Sequence, residues 1–110
     1  MPSIAIDFDG TIEHYKPGMA SNNQFGLPIE YAKNALEELR ALGYRIIIWT
    51  SRPITSDLYD WFENYGIPYD EIVKKPDCDL FIDDRAITFK GDWHEMLSKI
   101  DSFSEWWRCE

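Results

Sequence analysis

The chain has 110 residues, of which 45% are apolar and 15% aromatic, and its formal net charge is -9. This length is typical of a single domain, here taken as residues 1–110, and the apolar content is sufficient for a buried core. The negative charge argues against strong binding to nucleic acid or to an anionic membrane surface. No apolar run approaches the ~20 residues that a membrane-spanning helix needs.

Two features indicate a cellular location. Cys78 and Cys109 are too few for a disulfide framework or a zinc site. The first apolar strand begins almost at the N-terminus, which leaves no room for a signal peptide. We therefore expect a cytoplasmic protein.

The segment 4–11 begins as an apolar strand, Ile4–Phe8, and ends in a polar turn. Residues two apart on a strand face the same side, so Asp7 and Asp9 are expected to converge. Adjacent carboxylates repel each other unless they share a proton or a cation, and Mg²⁺ is a cation that prefers oxygen ligands. Gly10 permits a sharp turn that brings backbone N–H groups close to an anion. The alternative is an ordinary Asp-Gly turn at a strand end.

Residues 13–28 show no clear period and form a long loop for a compact domain. Such loops are often functional or disordered. Two interpretations stay open: a flap over a site, or a mobile surface connection.

The rest of the chain alternates between helix and strand patterns. The predicted helices are Ile29–Leu42, Ile54–Tyr65 and Trp93–Phe103, and the predicted strands are Arg45–Trp49, Ile72–Val73, Leu80–Ile82 and Ile87–Phe89. Strands separated by helices indicate parallel crossovers and an α/β fold, an open parallel sheet with helices on both faces. Two adjacent tryptophans, Trp106 and Trp107, are expected either to cover the domain edge or to meet a second subunit, so a homo-oligomer stays open.

Open parallel sheets bind ligands beyond the carboxyl ends of their strands. The side chains expected at these ends are Asp7, Asp9, Thr50, Lys75 and Asp83. The predicted fold therefore gathers carboxylates, a hydroxyl and an ammonium group into one crevice. Lys74 is an alternative to Lys75. Arg52 and Arg85 are expected either to reach a substrate or to pair with the acids of the site.

Four segments in this order resemble the motifs of the haloacid dehalogenase-like superfamily of Mg²⁺-dependent phosphohydrolases. They are Asp7-Phe8-Asp9-Gly10-Thr11, Ile46-Ile47-Ile48-Trp49-Thr50, Lys75 before Pro76, and Leu80-Phe81-Ile82-Asp83-Asp84. A response-regulator receiver domain has similar residues in another order, with the acidic pair early and the lysine last. The order found here excludes that interpretation.

The resemblance implies a three-layer Rossmann-like fold, and the loop 13–28 occupies the position where some members insert a cap. About sixteen residues are too few for a separate core, so a capless enzyme is expected. Asp7 would be the nucleophile and Asp9 the general acid. Mg²⁺ would be held by Asp7, the backbone carbonyl of Asp9, and the pair Asp83 and Asp84. The motif does not decide which of the pair contacts the ion directly; we favour Asp83, with Asp84 binding through a water molecule. The phosphate would be bound by Thr50, Ser51 and Lys75.

The expected function is Mg²⁺-dependent hydrolysis of a phosphomonoester through an aspartyl-phosphate, with a small phosphorylated molecule rather than a macromolecule as substrate. One alternative is a nucleotide or polynucleotide phosphatase, since a capless site is open to large substrates. Another is a non-enzymatic phosphate-binding or regulatory domain of the same fold. That alternative predicts loss of Asp7 or Asp9, and both are present.

Overall fold

A computed structural model describes residues 2–108, so Cys109 lies outside the part described. The elements are β1 (Ser3–Asp7), α1 (Ala32–Ala41), β2 (Arg45–Thr50), α2 (Ser56–Tyr65), β3 (Glu71–Lys74) and α3 (Trp93–Asp101). Within this range no helix combines the length and hydrophobicity that crossing a membrane requires. The chain is a small α/β structure, as its alternating pattern predicts.

The three strands form a parallel sheet in the order β1-β2-β3, with β2 in the centre. Ile4 lies opposite Ile46, and Ile6 lies opposite Ile48 in the next strand. These β-branched side chains suit a pleated, buried surface. The central strand is the most apolar of the three. Because β1 and β2 are parallel, their carboxyl ends lie at the same edge of the sheet.

The hydrophobic core lies on one face of the sheet. Ile46 and Ile48 are fully buried there, together with Leu36 and Leu39 of α1. Helix α2 adds a second apolar stripe made of Leu58, Trp61 and Phe62, which are also buried. The helical periods of both segments are confirmed by these buried residues. The same periods also place Leu42 and Tyr65 on the apolar faces, but they are 74% and 37% exposed, because Leu42 follows the last residue of α1 and Tyr65 is the last residue of α2.

The other face of the sheet is less covered than expected. Ala5 is exposed, and Ile47 and Trp49 are only half-buried. Helix α3 packs against α1. The prediction that helices bury both faces of the sheet is therefore confirmed for one face only.

Two predicted strands, 80–82 and 87–89, are wrong. Neither segment is a strand, and Leu80 and Ile82 are 77% and 95% exposed. A short apolar run becomes a strand only when its backbone pairs with a neighbour, and among residues 2–108 β1 pairs with β2 alone. The sheet consequently has three strands in the described residues instead of five.

The loop 13–28 is attached to the domain at its base and in its interior. Glu13 and Pro28 form an antiparallel bridge, and the N–H of His14 donates to the carbonyl of Leu27 at 2.8 Å. The indole N–H of Trp61 donates to the carbonyl of Gly26 at 2.9 Å. A Cβ at Gly26 would collide with the carbonyl oxygen of His14, so only glycine fits this close approach. The base of the loop is a packed part of the structure.

Candidate active site

At the end of β1, the Phe8 side chain points into the core and the carboxylates on either side of it are partly exposed. Phe8 is fully buried, and its ring centroid lies 4.9 Å from that of Trp61 and 5.5 Å from that of Phe62. Because neighbouring residues of an extended chain alternate in direction, Asp7 and Asp9 face the opposite way from Phe8. The Phe8 carbonyl accepts backbone N–H groups from residues 11, 12 and 13, at 3.2, 3.0 and 3.3 Å. The turn therefore holds the Asp9 backbone tightly.

A cavity of about 530 Å³ opens at the carboxyl ends of the strands. This volume is within the range of small-molecule sites. Its polar lining includes Asp7, Asp9, Ser51 and Lys75, and the loop 13–28 contributes Tyr15 and Ser21. The segment after β3 adds Pro76, Asp77, Cys78 and Phe81. The convergence of Asp7, Asp9, Ser51 and Lys75 at one pocket is the geometry expected from their places at strand ends.

The two adjacent lysines have different roles. The Lys75 ammonium lies 3.2 Å from Asp7 Oδ1, and it also lies 4.9 and 4.5 Å from the ring centroids of Trp49 and Phe81. Lys74 instead donates to the carbonyl oxygens of Ser51 and Arg52, at 2.5 and 3.1 Å. Lys75 is thus the lysine that lines the cavity, and Lys74 holds the loop after β2 in place.

Arg52 pairs with the acids of the site, which is one of its two expected roles. Its Nε lies 2.9 Å from both oxygens of Asp9, and its Nη2 lies 2.7 Å from Oδ1. The same Nη2 donates to Glu13 Oε2 at 3.3 Å. Arg52 is 3% exposed and Glu13 is 0% exposed, so both side chains are largely removed from water.

The environment of Glu13 favours its protonated form. Burial, followed by contact with Asp9, raises the pKa of Glu13 from its ordinary 4.5 to about 8, although the Gly26 N–H and Arg52 act in the opposite direction. Glu13 Oε2 accepts the Gly26 N–H at 3.0 Å, whereas Oε1 has no partner within residues 2–108. In its protonated form, Glu13 can donate a hydrogen bond to Asp9.

This raised pKa predicts that the free energy of unfolding decreases as the pH rises towards 8. Between pH 4.5 and 8 the folded chain retains a proton that the unfolded chain releases. The contribution is complete below pH 4.5 and is lost as the pH rises through about 8. Urea unfolding of the wild type and of Glu13→Gln at several pH values between 4.5 and 8 measures this contribution to the free energy of unfolding. The variant should show the flatter profile, and parallel profiles would contradict the assignment.

The other predicted site residues occupy different surroundings. Thr50 is almost wholly buried, and its Oγ1 accepts the backbone N–H of Arg52 at 3.1 Å. Asp83 Oδ1 accepts the N–H of Arg85 at 2.9 Å, and Asp84 Oδ2 accepts the indole N–H of Trp107 at 2.5 Å. That indole contact lowers the pKa of Asp84. None of these three acidic or hydroxyl side chains lines the cavity.

Of the five side chains expected in one crevice, the cavity gathers Asp7, Asp9 and Lys75 but not Thr50 or Asp83. Residues 80–82 do not form a strand beside β1, so Asp83 is not held at the carboxyl edge of the sheet next to Asp7. Within residues 2–108 no group of three or more carboxylate, histidine or cysteine side chains has the spacing of a metal site. Asp7 and Asp9 each face a cation instead, Lys75 and Arg52. The donor groups as arranged do not fit Mg²⁺.

The sequence pattern does not predict Glu13 at this site, and it leaves two roles open for Arg52. The sequence offered only their positions as signals: Glu13 is four residues after Asp9, and Arg52 is two residues after Thr50. Charged residues are seldom fully buried unless they are paired, so neither burial could be expected from the sequence. The Trp107 indole contacts Asp84 and remains about half exposed, while Trp106 is 84% exposed.

Solved structures resemble this fold. A crystal structure of a protein from Vibrio cholerae aligns over 91% of this chain and 99% of its own, with a TM-score of 0.68 and 25% identity. A conserved protein from Bacteroides thetaiotaomicron aligns over 90% of this chain and 88% of its own, with a TM-score of 0.66 and 28% identity. A chain of the Pnkp1/Rnl/Hen1 complex aligns over 76% of this chain and 31% of its own, with a TM-score of 0.55 and 22% identity, which shows a shared fold alone.

No protein-family profile matches the sequence, and no curated protein sequence matches it. The first two structures correspond in extent to nearly the whole chain. The chain is therefore similar to these proteins in its α/β fold over about nine tenths of its length.

Proposed function

We propose that the chain is a phosphomonoester hydrolase that acts through an aspartyl-phosphate on Asp7. The observation that carries this proposal is the Asp7 carboxylate at the end of β1, which lines a cavity and lies 3.2 Å from the Lys75 ammonium. The resemblance of the motifs to those of haloacid dehalogenase-like phosphohydrolases supports the same role for Asp7. A nucleophile beside a fixed cation is the pair that phosphoryl transfer requires.

In the first step, an Asp7 carboxylate oxygen attacks phosphorus while the bond from phosphorus to the leaving oxygen breaks. Asp9 enters this step protonated, on the oxygen that Arg52 contacts only once, and it donates that proton to the leaving oxygen, which departs as an alcohol. Lys75 offsets the negative charge that the phosphoryl oxygens and Asp7 bring together, and a compact ammonium suits this role. The Ser51 hydroxyl lines the same cavity and is available as a hydrogen-bond donor.

In the second step, a water molecule attacks the phosphorus of the aspartyl-phosphate and passes a proton to Asp9. The bond from phosphorus to the Asp7 oxygen breaks, so inorganic phosphate leaves and both aspartates return to their starting states. The resemblance associates this chemistry with Mg²⁺, which would offset phosphate charge. No step above depends on an ion, because the donor groups as arranged do not form a site for one.

The lining of the cavity supports a small monoester as substrate. Tyr15 and Phe81 provide partly exposed aromatic surfaces beside the charged groups, and these suit an organic leaving group. Asp77 adds a negative charge to the wall, and the chain itself carries -9. Both charges disfavour a polyanion such as a nucleic acid strand.

Phosphate release from a broad panel of phosphomonoesters tests the proposal, with each compound measured in Mg²⁺ and in a chelator. We expect turnover of a few chemically related compounds, and the two conditions measure any dependence on the ion. Isothermal titration with inorganic phosphate accompanies the panel. Phosphate binding without any turnover would contradict the hydrolase proposal and favour a non-enzymatic phosphate-binding domain.

A further inference from the structure

Arg52 lines the cavity, and several groups hold its guanidinium there. Its guanidinium makes three contacts of 2.7–2.9 Å with Asp9, and its centre lies 4.6 Å from the ring centroid of Phe25 and 5.6 Å from that of Phe8. Its backbone N–H donates to Thr50 Oγ1, and its backbone carbonyl accepts Lys74 Nζ. The ion pair and the two rings restrict the orientation of the guanidinium, and the backbone contacts hold the residue in place beside Asp9.

Glu13 also binds the Arg52 guanidinium. Its Oε2 accepts both Arg52 Nη2, at 3.3 Å, and the Gly26 N–H, at 3.0 Å. Gly26 is in turn bound through its carbonyl to the Trp61 indole. A continuous set of contacts thus runs from helix α2 through the loop 13–28 and Glu13 to Arg52 and Asp9.

Stability alone is a poor explanation for this arrangement. Removing charged groups from water is costly, and well-packed apolar residues of similar volume often serve as well or better. The contacts therefore point to a requirement for geometry at Asp9.

We propose that Arg52 and Glu13 are positioning residues that fix the orientation of the Asp9 carboxylate at the cavity, an inference that rests on the proposed hydrolase function. Asp9 Oδ1 makes two of the three contacts with Arg52, and Oδ2 makes one. Oδ2 is thus the oxygen with more capacity left for another hydrogen bond. It is the oxygen that exchanges the proton with the leaving group and later with water.

Leaving groups of different basicity test this inference. Phenyl phosphate needs a proton on its leaving oxygen more than p-nitrophenyl phosphate does, because nitrophenolate is the more stable anion. We measure kcat and KM of both compounds for the wild type, Arg52→Lys, Glu13→Gln and Asp9→Asn, with circular dichroism to verify folding. Arg40→Lys is the matched control, since Arg40 lies at the surface and pairs with Asp70.

For Arg52→Lys we expect kcat for phenyl phosphate to fall by about 10²-fold, a loss that a displacement of about 1 Å at a reacting group can cause. The loss for p-nitrophenyl phosphate should be smaller, and KM should change little. Lysine keeps the charge but cannot reproduce the forked contact. Glu13→Gln should show the same selectivity to a smaller degree, and it carries the test if Arg52→Lys does not fold.

The double variant Asp9→Asn/Arg52→Lys separates action through Asp9 from independent effects. If Arg52 acts through Asp9, the double variant is no slower than Asp9→Asn alone. Equal losses for both substrates with a raised KM would overturn the inference and assign Arg52 to phosphate binding. Unchanged kinetics with a lowered melting temperature would overturn it in favour of a structural role. A wild type inactive on the whole panel overturns the proposed function and this inference together.

Discussion

Asp7→Asn abolishes steady-state phosphomonoester hydrolysis, with an expected loss of at least about 10⁴-fold in kcat, the scale seen when a covalent nucleophile is removed. The amide oxygen is a far weaker nucleophile than the carboxylate and forms no stable phosphoryl intermediate. Because Asp7 is partly exposed and the amide has the same size, the fold should persist. Phosphate release by the variant measures the loss of hydrolysis, and circular dichroism measures whether the fold persists.

Asp101→Asn is the matched control for charge, since Asp101 is exposed at the end of α3. It should retain wild-type turnover. Brief reaction of the wild type with substrate, followed by acid quench and mass spectrometry, should show a mass increase of one phosphoryl group, which is absent from Asp7→Asn. Full steady-state hydrolysis by Asp7→Asn would remove Asp7 from the role of nucleophile.

Phe62→Ala should lower the free energy of unfolding by about 4 kcal/mol, the usual cost of deleting a buried aromatic ring. Phe62 is fully buried, and its ring centroid lies 5.5 Å from that of Phe8, 5.2 Å from that of Trp61 and 5.1 Å from that of Tyr69. A domain of this size has about 5–15 kcal/mol in total, so the variant would be marginally stable. Urea unfolding at fixed pH measures the difference.

Phe103→Ala provides the comparison, because Phe103 is 40% exposed. Its loss should be clearly smaller, about 1 kcal/mol. Phe62 also supports Phe8, which lies between the two site aspartates in the chain. We therefore expect the folded fraction of Phe62→Ala to lose some activity as well, and equal stabilities for the two variants would contradict the packing described for α2.

Elements with strong local patterns were predictable from the sequence. Helix α1 needs only the spacing of Ala32, Ala35, Leu36 and Leu39, and β2 needs only a run of β-branched residues. The convergence of Asp7 and Asp9 also follows locally, from the period of a strand. Their meeting with Lys75 required one further rule, that parallel strands end at the same edge of a sheet.

Local sequence patterns thus predict β1, β2, β3, the three helices and the placement of Asp7, Asp9 and Lys75 at strand ends. Whether residues 80–82 join the sheet depends on a partner strand elsewhere in the chain, and in the folded protein they remain outside it. The burial of Arg52 and Glu13 together beside Asp9 likewise depends on the fold, because these two residues are 39 positions apart in the chain. Local pattern carries no information about such pairs, since a charged residue is buried only where the fold brings an opposite charge to it.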